Sequence, residues 1–438
     1  MTDKSSTTAP GANRALALLL AINLFNYIDR QILASVEPEI RKAFFAPDDL
    51  GAMAMTGWLS TAFLASYMIM APIFGLLADR FSRWLLVGAS VALWSLASGW
   101  SGLAGSFTVL LITRLFVGIG EAGYGPAAPT IISDLYPVEK RGRMLAYFYL
   151  AIPVGSALGY VFGGTVGAHF GWRVPFYSVT VPGLALAAAC LVMRDPRGVR
   201  ARIEKTHAKP KIRIAEILSL FKIPSYVLNT AAMAAMTFAI GGMQFWIASY
   251  IVEFRVKEFP PDSKLLGTVN TIFGLIVVVS GLLATLLGGW LGDWLRKKFA
   301  SAYFIVSGLG ILFAFPATVA MLYVPFPAAW GLLFTACFFL FFNTGPANAA
   351  LANVTPPAVR ATAFALNILI IHALGDALSP PLMGWIAAQA KLADGRPNMN
   401  LAFLTVSAAM VLASAFWLIG ARYLGRDTAA VSAGDASS

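Results

Sequence analysis

"GLLADRFSR", residues 75–83, returns 214 residues later as "GWLGDWLRK", residues 289–297, with a glycine, an aspartate and a base at the same four-residue steps. A second echo pairs "GYGPAAP" (123–129) before Pro137 with "NTGPANA" (343–349) before Pro357, now offset by 220, and Arg141 or Arg360 follows each. Two motifs repeating at about half of a 438-residue chain mark an internal duplication. The fold therefore consists of two like halves.

Composition states what each half is made of. Hydrophobic residues make up 58% and charged residues only 12% of the chain, whereas soluble domains carry about 25% charge. A hydrocarbon core roughly 30 Å thick needs about 20 apolar residues per helix. Twelve segments qualify, near 15–37, 53–78, 85–104, 107–132, 144–168, 175–193, 226–252, 266–292, 302–322, 328–352, 362–388 and 401–421. Strand alternation of the membrane-barrel kind is absent. The chain reads as an all-α integral membrane protein with twelve transmembrane helices in two six-helix repeats. Its expected parts are an N-terminal bundle over 1–193, a linker over 194–225 and a C-terminal bundle over 226–438. The first apolar run is too long for a signal h-region, so it is expected to stay as a helix.

The net charge of +11 is distributed by loop rather than gathered for nucleic acid. Of 32 Lys and Arg, 22 fall on the termini and one set of alternate loops, 8 on the other set, and Arg30 and Arg114 inside segments. The positive-inside rule puts both termini in the cytoplasm, and short loops suit a bacterial inner membrane. "KIRIAEILSLF" (211–221) in the linker has helical apolar spacing beside Lys211 and Arg213, which fits an amphipathic helix on the inner leaflet. Cys190 and Cys337 sit deep in apolar runs and read as core residues, not a disulfide.

Several stretches resemble the major facilitator superfamily and, within it, the spinster family of lipid transporters. Gly75, Asp79, Arg80 and Arg83 look like the superfamily's signature after its second helix, and "RLFVGIGEAG" (114–123) looks like that of its fourth. "NYIDRQILASVEPEI", "RLFVGIGEAGYGPAAPTIISDLYP", "RGRMLAYFYLAIPVGSALGY" and "HALGDALSPPLMG" carry the spinster likeness. The resemblance implies alternating access, an amphipathic lipid substrate such as a lysophospholipid or sphingolipid-like molecule, and the proton as coupling ion. An antiporter of amphipathic organic ions or drugs and a passive lipid scramblase are the alternatives.

Ionisable residues at mid-bilayer cost about 2.5–3.5 kcal/mol each on insertion scales and so need a partner or water. Asp29 and Arg30 stand on the first segment, Arg114 and Glu121 on the fourth. Seven residues are nearly two turns, so Arg114 and Glu121 are about 10 Å apart on almost one face and can share a vestibule. Adjacent Asp29 and Arg30 diverge by about 100°, so one can line a cavity while the other contacts a neighbouring helix. A carboxylate facing a partly dry cavity gains proton affinity by desolvation and loses it to a nearby guanidinium, so access from either side can load or release a proton. Asp29 and Glu121 are the coupling candidates; a fixed ion pair joining helices is the competing reading. Asn26, Tyr27, Arg30 and Arg114 are candidate headgroup contacts, and Gln244 with Phe341, which aligns with Glu121, are the counterparts in the apolar second half.

Gly75, Asp79, Arg80, Arg83, Arg141 and Arg143 form a candidate cytoplasmic gate, with Asp293 and Lys297 a weaker copy. Gly75 is expected to allow close helix contact, and Asp79 to pair with Arg141 or Arg143. Gly155, Gly159 and Gly163 step by four, as close helix packing requires. His372 and Asp376 stand one turn apart as a possible polar pair between helices or a proton relay. No phosphate-cradling loop, metal-ligand spacing or soluble catalytic domain is legible, so neither an enzyme nor a bound cofactor is expected. Sodium is the alternative coupling ion. Partners are expected to be the lipid substrate and membrane lipids, not nucleic acid, around a monomer.

Overall fold

The computed structural model describes residues 10–195, 218–262, 264–357, 359–392 and 395–436; the side chains of residues 79, 138, 139, 361 and 432–436 fall outside that description. Among the described residues, twelve helices are long and apolar enough to cross a membrane. In chain order they are α1 (Ala12–Ser35), α2 (Ala52–Ala78), α3 (Arg83–Gly102), α4 (Phe107–Leu135), α5 (Lys140–Phe170), α6 (Arg173–Leu191), α7 (Pro224–Phe254), α8 (Leu265–Arg296), α9 (Ala302–Met321), α10 (Ala328–Val354), α11 (Thr362–Gln389) and α12 (Met399–Val431). Among the described residues the one β contact outside named strands is an isolated bridge between Lys391 and Pro397. Residues 211–217 of the expected interfacial helix lie outside the described residues.

Several spans run past their apolar limits, because a helix keeps satisfying its own backbone after its side chains turn polar. The helix containing α12 continues to Ala436. A short helix, Glu37–Phe44, follows α1 and was not legible as a separate element; Pro38 in its first turn suits a helix start. The duplication reaches fine detail. Span α4 breaks between Ala122 and Tyr124, and α10 breaks between Phe341 and Thr344. Gly123 and Asn343, which sit at these breaks, are 220 residues apart, the offset of the sequence repeat.

Two compact units emerge. The first comprises Met1–Pro47, Trp58–Pro210 and Asp262–Gly274, the second Asp48–Gly57, Lys211–Pro261 and Leu275–Ser438. Each unit therefore includes the opening turns of one helix, α2 or α8, whose remainder belongs to the other.

Inside the first unit, small residues set how closely helices approach, since apolar side chains gain little by leaving lipid. A Cβ on Gly155 would lie 2.7 Å from the Leu24 carbonyl oxygen, and one on Gly159 would lie 2.6 Å from that of Ile28. Gly163 meets Ile32 and Ser35 in the same way. The glycine stripe of α5 is thus moulded to α1, and Asn23 Nδ2 locks the register by donating to the Phe148 carbonyl at 2.8 Å. Gly120 brings α4 against the backbone of Trp94 on α3, where a Cβ would come within 2.6 Å of its nitrogen. Tyr124 then donates to the Leu19 carbonyl at 2.7 Å, joining α4 to α1. These contacts fix the faces that α1 and α4 turn to each other.

In the second unit, polar side chains bridge otherwise apolar helices. Asn229 on α7 donates to the Ala347 carbonyl of α10 at 3.1 Å and accepts from Trp417 Nε1 of α12 at 2.8 Å. Asn367 on α11 donates to Thr230 on α7 at 2.9 Å. Cys190 and Cys337 are both buried and free.

Candidate functional site

Arg30 and Glu121 meet across α1 and α4, with Arg30 Nε donating to Glu121 Oε2 at 2.6 Å. The Glu121 side chain is fully buried, while about a fifth (21%) of the Arg30 side chain remains exposed. Three rings surround the guanidinium carbon: Tyr27 and Phe63 at 5.0 Å and Tyr67 at 5.4 Å. Ring faces attract a cation electrostatically, so this box holds the guanidinium beside Glu121. The second carboxylate oxygen, Oε1, and Nδ2 of Asn26 are both buried, and the Asn26 amide is the polar group that acts on the Glu121 carboxyl besides Arg30 and Asp29.

Asp29 turns to the other side of α1, as the 100° step requires. Its Oδ1 accepts a short hydrogen bond from Ser98 of α3, and its Oδ2 is buried without a partner. A void of about 10 Å³, lined by Asp29, Phe25, Trp94, Ser98 and Gly183, adjoins it. That is the lower bound for one water molecule. Arg114 is buried nearby. It donates a short hydrogen bond to Ser101 of α3 and stacks over Phe176 of α6 at 5.2 Å. Asp29 and Arg114 both hang on α3, the first through Ser98 and the second through Ser101.

The four charges thus divide by face. Arg30 pairs with Glu121 between α1 and α4, whereas Asp29 and Arg114 lie against α3 and α6. The expected shared vestibule for Arg114 and Glu121 is not what their contacts describe. Seven residues of α-helix return 20° short of the starting direction, and Arg114 reaches sideways to the serines of α3. Both acids are shielded, at 2% exposure for Asp29 and 1% for Glu121, so Arg30 is the member of the cluster that meets the outside. When all four groups are ionised, their charges cancel. Adding a proton to Glu121 removes the charge that compensates Arg30, and a buried charge left unpaired is costly. The cluster can therefore hold either a closed ion pair or a protonated acid beside a guanidinium available to another anion.

In the second unit, Gln244 is half-buried on α7 and Phe341 is half-buried on α10 near Gly281 of α8. Rings continue along α10, with Phe338 5.5 Å from Phe342. His372 Nδ1 lies 2.9 Å from Asp376 Oδ1 within a π-helical turn, His372–Asp376, of α11. The two therefore contact each other along one helix. Thr237 of α7 donates to the Ile371 carbonyl there at 2.8 Å.

The loop residues are arranged differently from the expected gate. Nothing lies within 4 Å of a Cβ built on Gly75, so no close helix contact is made there. The side chain of Asp79 lies outside the described residues. Arg83 is wholly buried: it reaches Asp134 at 2.8 Å, Asp195 at 3.1 Å and Thr130 at 3.1 Å, and so ties together the ends of α3, α4 and α6. Arg141 donates to the Tyr136 carbonyl at 2.9 Å, while Arg80 and Arg143 are exposed. Asp293 accepts from Tyr303 at 2.7 Å rather than from Lys297.

Ser98, Ser101, Phe63 and Tyr67 are the contacts that sequence reasoning missed. Ser95, Ser98 and Ser101 step by three along an apolar helix, a polar stripe legible in principle. The roles of Phe63 and Tyr67 had no local signal. Among the described residues no group of three His, Cys, Asp or Glu side chains could hold a metal.

The chain matches the family model described as Major Facilitator Superfamily over residues 19–380. It is 35% identical over 404 residues to "Protein spinster homolog 1" of Homo sapiens, covering 86% of this chain and 74% of that one. It is 36% identical over 379 residues to "Protein spinster" of Drosophila melanogaster, covering 85% and 61%. Its fold superposes with a TM-score of 0.76 on the crystal structure of a bacterial homologue of the human lysosomal transporter Spinster, inward-facing and unoccupied, at 23% identity and 96% and 98% coverage. A D-xylose–proton symporter gives a TM-score of 0.72 at 18% identity, covering 92% and 96%.

Proposed function

This chain belongs to the spinster family of the major facilitator superfamily, an integral membrane transporter and not an enzyme, and from that premise we propose that it moves an amphipathic lipid in exchange for, or together with, protons. The observation that carries the reading is the Arg30–Glu121 pair, buried on its acidic side and partly open on its basic side. Protonation of Glu121 frees Arg30 for an anionic headgroup, and return of the carboxylate to Arg30 expels that headgroup. The planar guanidinium suits phosphate, in keeping with a lysophospholipid or sphingolipid-like cargo. Asp29 and Arg114 form a second charged layer behind the first, held by Ser98 and Ser101 of α3. Alternating access then loads the site from one face and empties it to the other.

The loop charges favour cytoplasmic termini, and the short loops suit a bacterial inner membrane. The protein works as a monomer with no bound cofactor. The decisive experiment is flux of fluorescent lysophospholipid in proteoliposomes with and without an imposed pH gradient. Gradient-dependent accumulation supports the reading; equal flux in both conditions identifies a passive scramblase and removes it. Competition by amphipathic drugs without any lipid flux identifies the organic-ion antiporter instead.

A further inference from the structure

A recess of about 340 Å³ opens in the second unit where α8 ends, α9 begins and α10 and α12 pass. Arg296, Lys297 and Lys298 line it, with Asn353 of α10 and Thr428 of α12 opposite. Cations at a helix C-terminus are ordinary in themselves. Here, however, the local carboxylates are occupied elsewhere. Asp293 accepts from Tyr303 at 2.7 Å, and Asp427 accepts from the Ser225 amide at 3.0 Å and pairs with Arg426 at 2.9 Å. Among the described residues no carboxylate pairs with Lys297 or Lys298. Among the described residues the three cations Arg296, Lys297 and Lys298 outnumber Asp293, so the recess keeps a net positive charge.

Its depth is marked independently. Trp290 and Trp294, on the last turns of α8, are 63% and 44% exposed with their rings stacked at 6.3 Å. Exposed tryptophans of this kind collect at the headgroup level of a bilayer. Lys298 Nζ sits 4.0 Å above the Trp294 ring, which binds the cationic rim to that level. Phe299, Ala300, Leu424 and Ala429 supply apolar walls, beside the Tyr303 ring. We infer that this recess is a site for the phosphate-bearing headgroup of an anionic phospholipid: cations and the Asn353 amide for the phosphate, apolar walls for the glycerol and first methylenes. A free phosphate shares the ionic chemistry but leaves those walls unused. Only the choice of leaflet rests on the orientation proposed above; the site itself does not depend on lipid transport.

The test titrates the purified, delipidated full chain in detergent with phosphatidylglycerol, phosphatidylcholine or inorganic phosphate and reads bound lipid by native mass spectrometry. Phosphatidylglycerol should bind in preference to phosphatidylcholine. A Lys297→Gln/Lys298→Gln variant should weaken it roughly 30-fold, about fivefold per charge. Asn353→Phe keeps every charge and fills the recess, so it should abolish the same binding and keeps the test valid if the double variant folds poorly. Equal binding of both lipids, or undiminished binding by Asn353→Phe, overturns the proposal. Inorganic phosphate displacing phosphatidylglycerol at equal concentration identifies a free-anion site and overturns it too.

Discussion

Arg30 and Asp29 are neighbours in the chain but serve different faces: the guanidinium meets Glu121 at 2.6 Å toward α4, while the carboxylate takes its hydrogen bond from Ser98 toward α3. One helix thereby supplies a member to each of two charged layers. Separate consequences follow for substitutions on each.

Loss of the front pair should be felt in both stability and coupling. Glu121→Ala strands Arg30, and breaking a buried pair costs about 3–5 kcal/mol. Glu121→Gln keeps an acceptor of similar shape, so it should fold nearly normally yet lose the dependence of transport on pH. Thermal unfolding alongside gradient-driven uptake separates the effects. A Gln variant with an unchanged pH profile removes Glu121 from coupling.

For the rear layer, Ser98→Ala withdraws the Asp29 Oδ1 donor and should destabilise by about 1–3 kcal/mol. Asp29→Asn should cost less in that background than in wild type, because the serine donor it disturbs is already gone. If Asp29→Asn adds fully to Ser98→Ala in the double-mutant cycle, the two side chains do not cooperate.

Packing of α5 on α1 sets where Arg30 stands. Gly159→Ala places a methyl group 2.6 Å from the Ile28 oxygen, an overpacking of about 1–3 kcal/mol. The expected result is a lower unfolding temperature together with weaker substrate binding. Gly75→Ala, with open space around the added carbon, should leave stability unaltered.

On the connection between α7 and α8, Arg255 donates to the carbonyls of Met321 and Val324 at 3.0 and 2.7 Å and forms a two-point pair with Glu258. The Phe326 amide donates to Glu258 at 2.7 Å. The hydrogen bond from Arg255 holds the Glu258 carboxyl below the usual carboxylate range, against the opposing effect of burial. A depressed folded value means the stabilisation is complete above the unfolded glutamate pKa, about 4.3, and fades as pH falls through the lower folded value. The stability gap between wild type and Glu258→Gln should thus stay constant from pH 8 to about 5 and narrow in stronger acid. A gap that closes between pH 8 and 6 contradicts this.

Much of the architecture was legible because membrane burial demands long apolar runs and the duplicated motifs preserve their offset. The twelve spans follow from those two constraints, whereas the breaks in α4 and α10 were not read from the sequence. Asp29, Arg30, Arg114 and Glu121 also stood out, since charge in an apolar run is conspicuous. Their partners did not. Ser98 and Phe63 become important only when α3 and α2 are brought beside α1, and no local pattern encodes that adjacency. Arg83 reads in the sequence as a gate residue, yet Asp134 and Asp195 converge on it from sites 51 and 112 residues away.

The most direct test of proton exchange at Glu121 is a pH-sensitive dye trapped in proteoliposomes while lysophospholipid is added outside. Wild-type protein should shift the internal pH when substrate moves, and Glu121→Gln should bind the lipid without shifting it. An internal pH change of equal size from the Gln variant contradicts the account.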